Sequence, residues 1–437
     1  MNFGRRKNTL TFFVAAGLCF FSQVVLAVLF EPGVGVGLEY TDNATLVNEN
    51  KVNDLITVGY VGARLSENEG ALMYDAAASF NNTSYTQDTF PDQRYFNLGA
   101  SADWAMLKDR FNWFLSNYFS QRTVNALNSN TPDNLQDTNV FTFGANVRFP
   151  VSARQSFSLV PMFQQFYYER QLTNNKQYSL AANWNYQMFR LTNVGLSFST
   201  RNIDYFEQSI EDTRFTNLGI VLSGSRKRST YVINLGSTNV KRDTGEETAG
   251  FSGYLNWFSD ISSRSKFTTN FSTGLTDTSS ASAASAGNPG NGDDIQITTD
   301  VIRNSVADLA YIREDATLNS RIWMRYNKIT YSDNPLDRVI RAFGLQFSHP
   351  VTQLLSSGAY VNYNRTKQLD TNRLDNRFTV GGDLRYNFSR KLHGLFDLKY
   401  RTQESTVLSQ NYDEYSAFVS LVYGFGNIMR PSRAGGF

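Results

Sequence analysis

Gln177–Met188 reads Gln-Tyr-Ser-Leu-Ala-Ala-Asn-Trp-Asn-Tyr-Gln-Met. Tyr178, Leu180, Ala182, Trp184, Tyr186 and Met188 fall on one side, and Gln177, Ser179, Ala181, Asn183, Asn185 and Gln187 on the other. An extended chain points successive side chains to opposite faces, so this segment is a strand with one greasy face and one wet face. A helix of the same composition would mix the two sets around its circumference. The beat returns in Arg377–Phe388 and in Leu392–Arg401. It closes in Glu414–Phe425, which sets Tyr415, Ala417, Val419, Leu421, Tyr423 and Phe425 on one side.

Composition narrows what such strands build. Of 437 residues, 41% are hydrophobic and 14% aromatic, but only 18% are charged, against roughly 25% in an average globular chain. That is too much apolar surface for a disordered chain. Beyond the N-terminus, no stretch approaches the roughly 20 apolar residues of a membrane-spanning helix. Arg5, Arg6 and Lys7 precede an uncharged run, Leu10–Ala27, that ends in Val25-Leu26-Ala27. This pattern marks residues 1–27 as a signal peptide and leaves 28–437 as a single domain. The one cysteine, Cys19, falls in that leader, so no disulfide framework is expected. The leader also carries the three cations behind the formal charge of +2. No basic footprint for nucleic acid remains.

Turn signals set the architecture. Short connections near Asn68, Lys108, Ser152, Arg190, Lys227, Ser262, Asp315, Thr352 and Arg390 alternate with longer polar links such as Asn43–Asp54, Val124–Thr138 and Asp277–Gln296. The count is about 20 strands (18–20), the margin arising at Ile295–Ile312, which reads as one long strand or a bent pair. An even strand number with alternating short turns and long loops indicates a closed antiparallel β-barrel of a Gram-negative outer membrane, its short turns periplasmic. In lipid only a helix or a closed sheet satisfies every backbone group. Aromatics in Phe166-Tyr167-Tyr168, Tyr205-Phe206, Trp257-Phe258 and Tyr326/Tyr331 are expected to form girdles at the two lipid–water interfaces. Pro161, within the strand Gln155–Glu169, is expected to mark a bulge or a kink, and Gly381-Gly382 to mark curvature. Either Phe425 or Phe437 is expected to serve as the aromatic assembly signal. With no domain-sized segment between the leader and the first strand, a plugged energy-coupled transporter is disfavoured.

The opening strand Gly35-Val36-Gly37-Leu38-Glu39-Tyr40-Thr41-Asp42-Asn43, soon after the leader, resembles the start of the porin-2 type family of outer-membrane barrels. That family is associated with exopolysaccharide synthesis and the PEP-CTERM/exosortase system. The resemblance implies a role beside polysaccharide or protein secretion, with outer-membrane lipid, anionic polysaccharide or secretion proteins as partners. It brings no catalytic motif and no cofactor.

Enzymatic constellations are scarce. His349 and His393 have no metal-ligand spacing, and no nucleophile elbow or phosphate-binding loop occurs. A hydrolase built on His393 and a neighbouring serine is the enzymatic alternative, and the expectation is of a non-enzyme. The wet faces carry the one suggestive pattern. Alternation sends Arg148, Arg201, Lys266, Arg321, Arg325, Arg385, Lys399 and Arg401 inward, against Asp75, Asp103, Asp308, Asp383 and Asp397. Such a lumen either favours anionic solutes through its field or pairs its charges structurally, the latter preferred. The low-complexity loop Asp277–Gln296 is expected to be mobile, with an inward-folded constriction as the sharper alternative. Two functions follow: a channel tied to secretion, or a non-conducting structural or adhesion barrel.

Overall fold

The structure is a computed structural model that describes residues 29–285 and 295–426. The leader 1–27, Cys19 and Phe437 lie outside these residues. Twenty strands form one sheet. They are β1 (Leu29–Thr41), β2 (Asp54–Glu67), β3 (Leu72–Tyr85), β4 (Gln93–Leu107), β5 (Phe111–Thr123), β6 (Leu135–Ser152), β7 (Gln155–Tyr168), β8 (Asn175–Phe189), β9 (Thr192–Tyr205) and β10 (Thr213–Arg226). The second half comprises β11 (Ser229–Arg242), β12 (Glu247–Ser262), β13 (Ser265–Asp277), β14 (Val301–Arg313), β15 (Asn319–Tyr331), β16 (Arg338–Pro350), β17 (Leu355–Gln368), β18 (Leu374–Asn387), β19 (Leu392–Ser405) and β20 (Tyr412–Gly424). Among the described residues one α-helix, α1 (Thr278–Ser285), follows β13. Each strand pairs antiparallel with its sequence neighbours, and β1 pairs with β20 from Gly33↔Gly424 to Thr41↔Ser416. The sheet therefore has no free edge at its ends. Val301–Arg313 is one strand, which resolves the sequence ambiguity there.

Burial alternates as lipid exposure requires. On β1, Val34, Val36, Leu38 and Tyr40 are exposed while Gly33, Gly37, Glu39 and Thr41 are buried. Leu218, Ile220, Leu235, Leu398 and Leu421 continue the exposed aliphatic belt. It is bordered by Tyr40, Tyr178, Tyr326, Tyr363 and Tyr415 on the long-loop side and by Trp104, Trp257, Phe347, Tyr386 and Tyr423 on the short-turn side. A closed barrel with an apolar belt between two aromatic girdles spans a membrane, and this design belongs to the bacterial outer membrane.

The girdle expectation needs one correction. Tyr167, Phe206, Trp257 and Tyr326 are exposed, but Phe166, Tyr168 and Tyr331 are buried inside the barrel. In an extended chain adjacent aromatics cannot share a face. Gly381 also has a different reason from curvature. It lies beneath the Tyr360 ring, where a Cβ would come within 2.4 Å of ring atoms. At Pro161 the β6–β7 ladder skips from Gly144↔Met162 to Val147↔Leu159, as a residue without an N–H dictates. The last strand ends at Gly424 (φ 85°), and the Phe425 carbonyl accepts from the Tyr60 hydroxyl at 3.2 Å.

Candidate functional site

The lumen is occupied from the extracellular side. β12 and β13 pair only from Gly253↔Thr273 down to Ser262↔Ser265, whereas β13 stays paired with β14 up to Asp277↔Val301. Beyond Gly253 the wall parts. The upper β13–β14 hairpin bends inward, and its outer face packs on the inner face of β9–β11: Leu275 and Val301 join Ile203, Phe215 and Val240. The barrel wall overlaps there like a scroll. A cleft of about 210 Å³ remains in the overlap, lined by residues including Val240, Leu275, Val301 and Arg303. Arg303 Nη1 crosses it and donates to the Phe251 carbonyl at 3.3 Å.

This hairpin is the base of the loop expected to be mobile, and the described parts of that loop are fixed instead. Asp277 caps α1 by accepting from the Ser280 N–H at 2.8 Å. Its carboxylate also pairs with Arg201 at 2.8 Å and accepts from Gln177 Nε2 at 3.2 Å. Arg201 donates to Ser280 Oγ at 2.9 Å and lies 4.7 Å over the Phe215 ring. Farther along, Arg122 of β5 donates to the Ser282 carbonyl at 3.1 Å. The return segment is held as firmly. Ile297 packs on Phe166 and Tyr168, and Ile295 sits with Ile302, Ile329, Tyr331 and Ile340. Gln296 Nε2 donates to the Val124 carbonyl at 2.8 Å, while Gln296 Oε1 accepts from the Ala126 N–H at 2.9 Å. Since β5 and β13 stand far apart around the wall, these contacts carry the loop across the lumen. Each buried apolar side chain contributes about 1.5–3 kcal/mol to holding the segment in place.

The surrounding loops brace this element. Tyr331 Oη accepts from the Gln296 N–H at 3.0 Å and from Arg338 Nη2 at 3.3 Å, and Arg338 is 1% exposed. Arg242 holds Asp333, in the β15–β16 loop, at 2.5 Å. The hydrogen bond and charge of Arg242 hold the Asp333 carboxyl below the usual aspartate range. This latch contributes above that range and is lost only as the pH falls through the depressed value.

All ten lumen candidates lie on the inner face by register. Four are committed to partners: Arg201 to Asp277, Lys266 to Glu314 (2.8 Å), Arg325 to Asp308 (2.5 Å) and Arg401 to Glu414 (2.8 Å). Arg148 and Arg321 stand exposed toward the short-turn end. Asp383 and Asp397 face each other across β18–β19, with Arg385 and Lys399 two residues along on the same face. This inner wall favours structural pairing over a strong anion field. Arg122, Arg242, Arg338, Glu39 and Glu414 were not singled out in the sequence, although alternation sets Glu414 on the wet side; the structure places all five in the lumen wall. The signal available was the aromatic run Phe166–Tyr168, whose alternate rings must point inward and need something to cover them. His393 faces Asn387 and Val422 across its neighbouring strands, and His349 lies against the Thr317 carbonyl.

No family model matches the chain, and no curated protein matches it. Solved structures do. The siderophore receptor PirA of Acinetobacter baumannii aligns over 92% of this chain and 81% of its own, at 10% identity and a TM-score of 0.52. The FrpB iron transporter of Neisseria meningitidis (F5-1 variant) aligns over 90% and 82%, at 9% identity and a TM-score of 0.46. OccK2 of Pseudomonas aeruginosa, solved with glucuronate, aligns over 92% and 100%, at 9% identity and a TM-score of 0.40. The likeness is one of fold. It agrees with an outer-membrane barrel in contact with lipid.

The point at which β12 and β13 part makes a prediction of its own. A Cβ added at Gly274 would lie 3.4 Å from Ser252 Cβ, close to the Cβ separation of a disulfide. The variant Ser252→Cys/Gly274→Cys is expected to oxidise without added force and shift its mobility on a non-reducing gel. Free thiols persisting under oxidant would mean that β12 and β13 separate before Gly253↔Thr273.

Proposed function

We propose that this barrel is a channel for hydrophilic solutes, narrowed by the β13–β14 hairpin folded into its lumen. The observation that carries this is the Arg201–Asp277 pair with the α1 cap. Anchors on β5, β7, β8 and β9 hold the segment inside the lumen and narrow the path by size, which a barrel serving only as a scaffold does not need. Because most inner cations have partners, the filter discriminates by size and hydrogen bonding more than by charge. Vesicles holding the folded protein are expected to admit small sugars and exclude larger ones with a sharp cut-off. Zero uptake of the smallest sugar would favour the closed structural barrel, and uptake independent of size would remove the constriction.

We further propose that the channel serves exopolysaccharide or protein secretion. The resemblance of Gly35–Asn43 supports this, and so does the inner wall. Trp323 lies over Gly344 and Tyr360 over Gly381, each glycine being too close to its ring for a Cβ. Rings laid flat on a wall offer faces on which a sugar ring can stack. Acidic oligosaccharide is expected to block the current transiently, and a current unaffected by it would leave a channel without the secretion role.

A further inference from the structure

The outer surface carries a charge pattern that the channel does not use. Arg341 on β16 pairs directly with Arg365 on β17. One step toward the long loops, Val339 lies between Lys328 of β15 and Lys367 of β17. All four cations are exposed, and their register puts them on the lipid-facing side with Tyr326, Phe343 and Tyr363. Among the described residues none of the four forms an ion pair. Strands β15, β16 and β17 contain no Asp or Glu at all.

Two outward cations elsewhere at this level have a carboxylate directly across the ladder, although Lys241 also faces Arg214 on its other side. Lys176 opposes Asp204 and Lys241 opposes Glu247. Like charges directly across a ladder are destabilising, so four unrelieved cations on three adjacent strands ask for an anion from outside the chain. Their position names its source. They sit level with and just beyond the Tyr326/Tyr363 girdle on the side of the long loops, where the headgroups of the outer leaflet lie. Arginine pairs bind phosphate through parallel N–H donors, and lysines add point charge on either flank.

We propose that Lys328, Arg341, Arg365 and Lys367 form a binding site for the phosphorylated sugar headgroup of an outer-leaflet glycolipid. The acyl chains then lie along the aliphatic belt below. This site stands apart from the lumen and does not depend on conduction.

The test uses the full folded chain in detergent and bisphosphorylated lipid A, with binding read by native mass spectrometry. Wild type is expected to retain lipid A. Its dephosphorylated form should bind about tenfold more weakly or worse, and so should lipid A to the variant Lys328→Gln/Arg341→Gln/Arg365→Gln/Lys367→Gln. The control Lys176→Gln/Lys241→Gln should bind like wild type. Equal binding by the fourfold variant, or by the dephosphorylated lipid, would overturn the site. Should the variant fail to fold, the comparison of the two lipids on wild type decides alone. Competition by inorganic phosphate at matched concentration would show that a free anion, rather than the lipid, is the ligand, and would also overturn it.

Discussion

Replacing Arg201 with alanine is expected to raise single-channel conductance severalfold and to make the current flicker, while the barrel stays folded. Arg201 and Gln177 each hold both Asp277 and Ser280, but Arg201 alone of the two brings a counter-charge, and its guanidinium also covers the Phe215 ring. Its loss leaves the Asp277 side chain, 5% exposed, without its counter-charge. Breaking a buried pair in this way costs about 3–5 kcal/mol, enough to release the hairpin tip from β9–β10. The twenty-strand ladder shares none of that cost, because every strand keeps its backbone partners. Arg201→Lys keeps the charge but not the fork that reaches two acceptors, so an intermediate conductance is expected. Unchanged conductance in Arg201→Ala would mean that the hairpin does not limit the path.

Glu414→Ala is expected to have the largest effect on stability. Glu414 is fully buried where the barrel closes. Its Oε1 accepts from Thr41 Oγ1 of β1 at 2.9 Å, and its Oε2 pairs with Arg401 of β19 at 2.8 Å. One carboxylate thus ties the first strand to the last two. Removing it strands a buried guanidinium, with an expected loss of about 3–5 kcal/mol, read as a lower urea midpoint for the protein folded into vesicles. Arg401→Ala/Glu414→Ala should recover much of that loss, because no unpaired charge then remains. A double variant no more stable than Glu414→Ala would show that the pair is incidental.

The strands were legible because lipid on one side and water on the other impose a strict period of two. Tyr178–Met188 and Phe378–Phe388 carry that period openly, and with it the inward direction of Arg325, Lys399 and Arg401. The constriction was legible only as the less favoured alternative. Asp277–Ser285 is short, polar and small, which reads as mobile, and the groups that fix it come from distant strands: Gln177, Arg201 and Arg122. Nothing local in that loop encodes them. Arg338 was hidden for a similar reason, since a cation at a strand end looks solvated until Tyr331 and the loop cover it. The lipid-facing cations Arg341 and Arg365 break the apolar side of the alternation, and only the register shows that they are neighbours.

The account stands on a water-filled passage that the hairpin narrows without sealing. The direct measurement is the current through wild-type protein inserted singly in a planar bilayer. Discrete, ohmic steps that enlarge in Arg201→Ala are predicted. A correctly folded barrel that passes no current, in wild type and in Arg201→Ala alike, contradicts it.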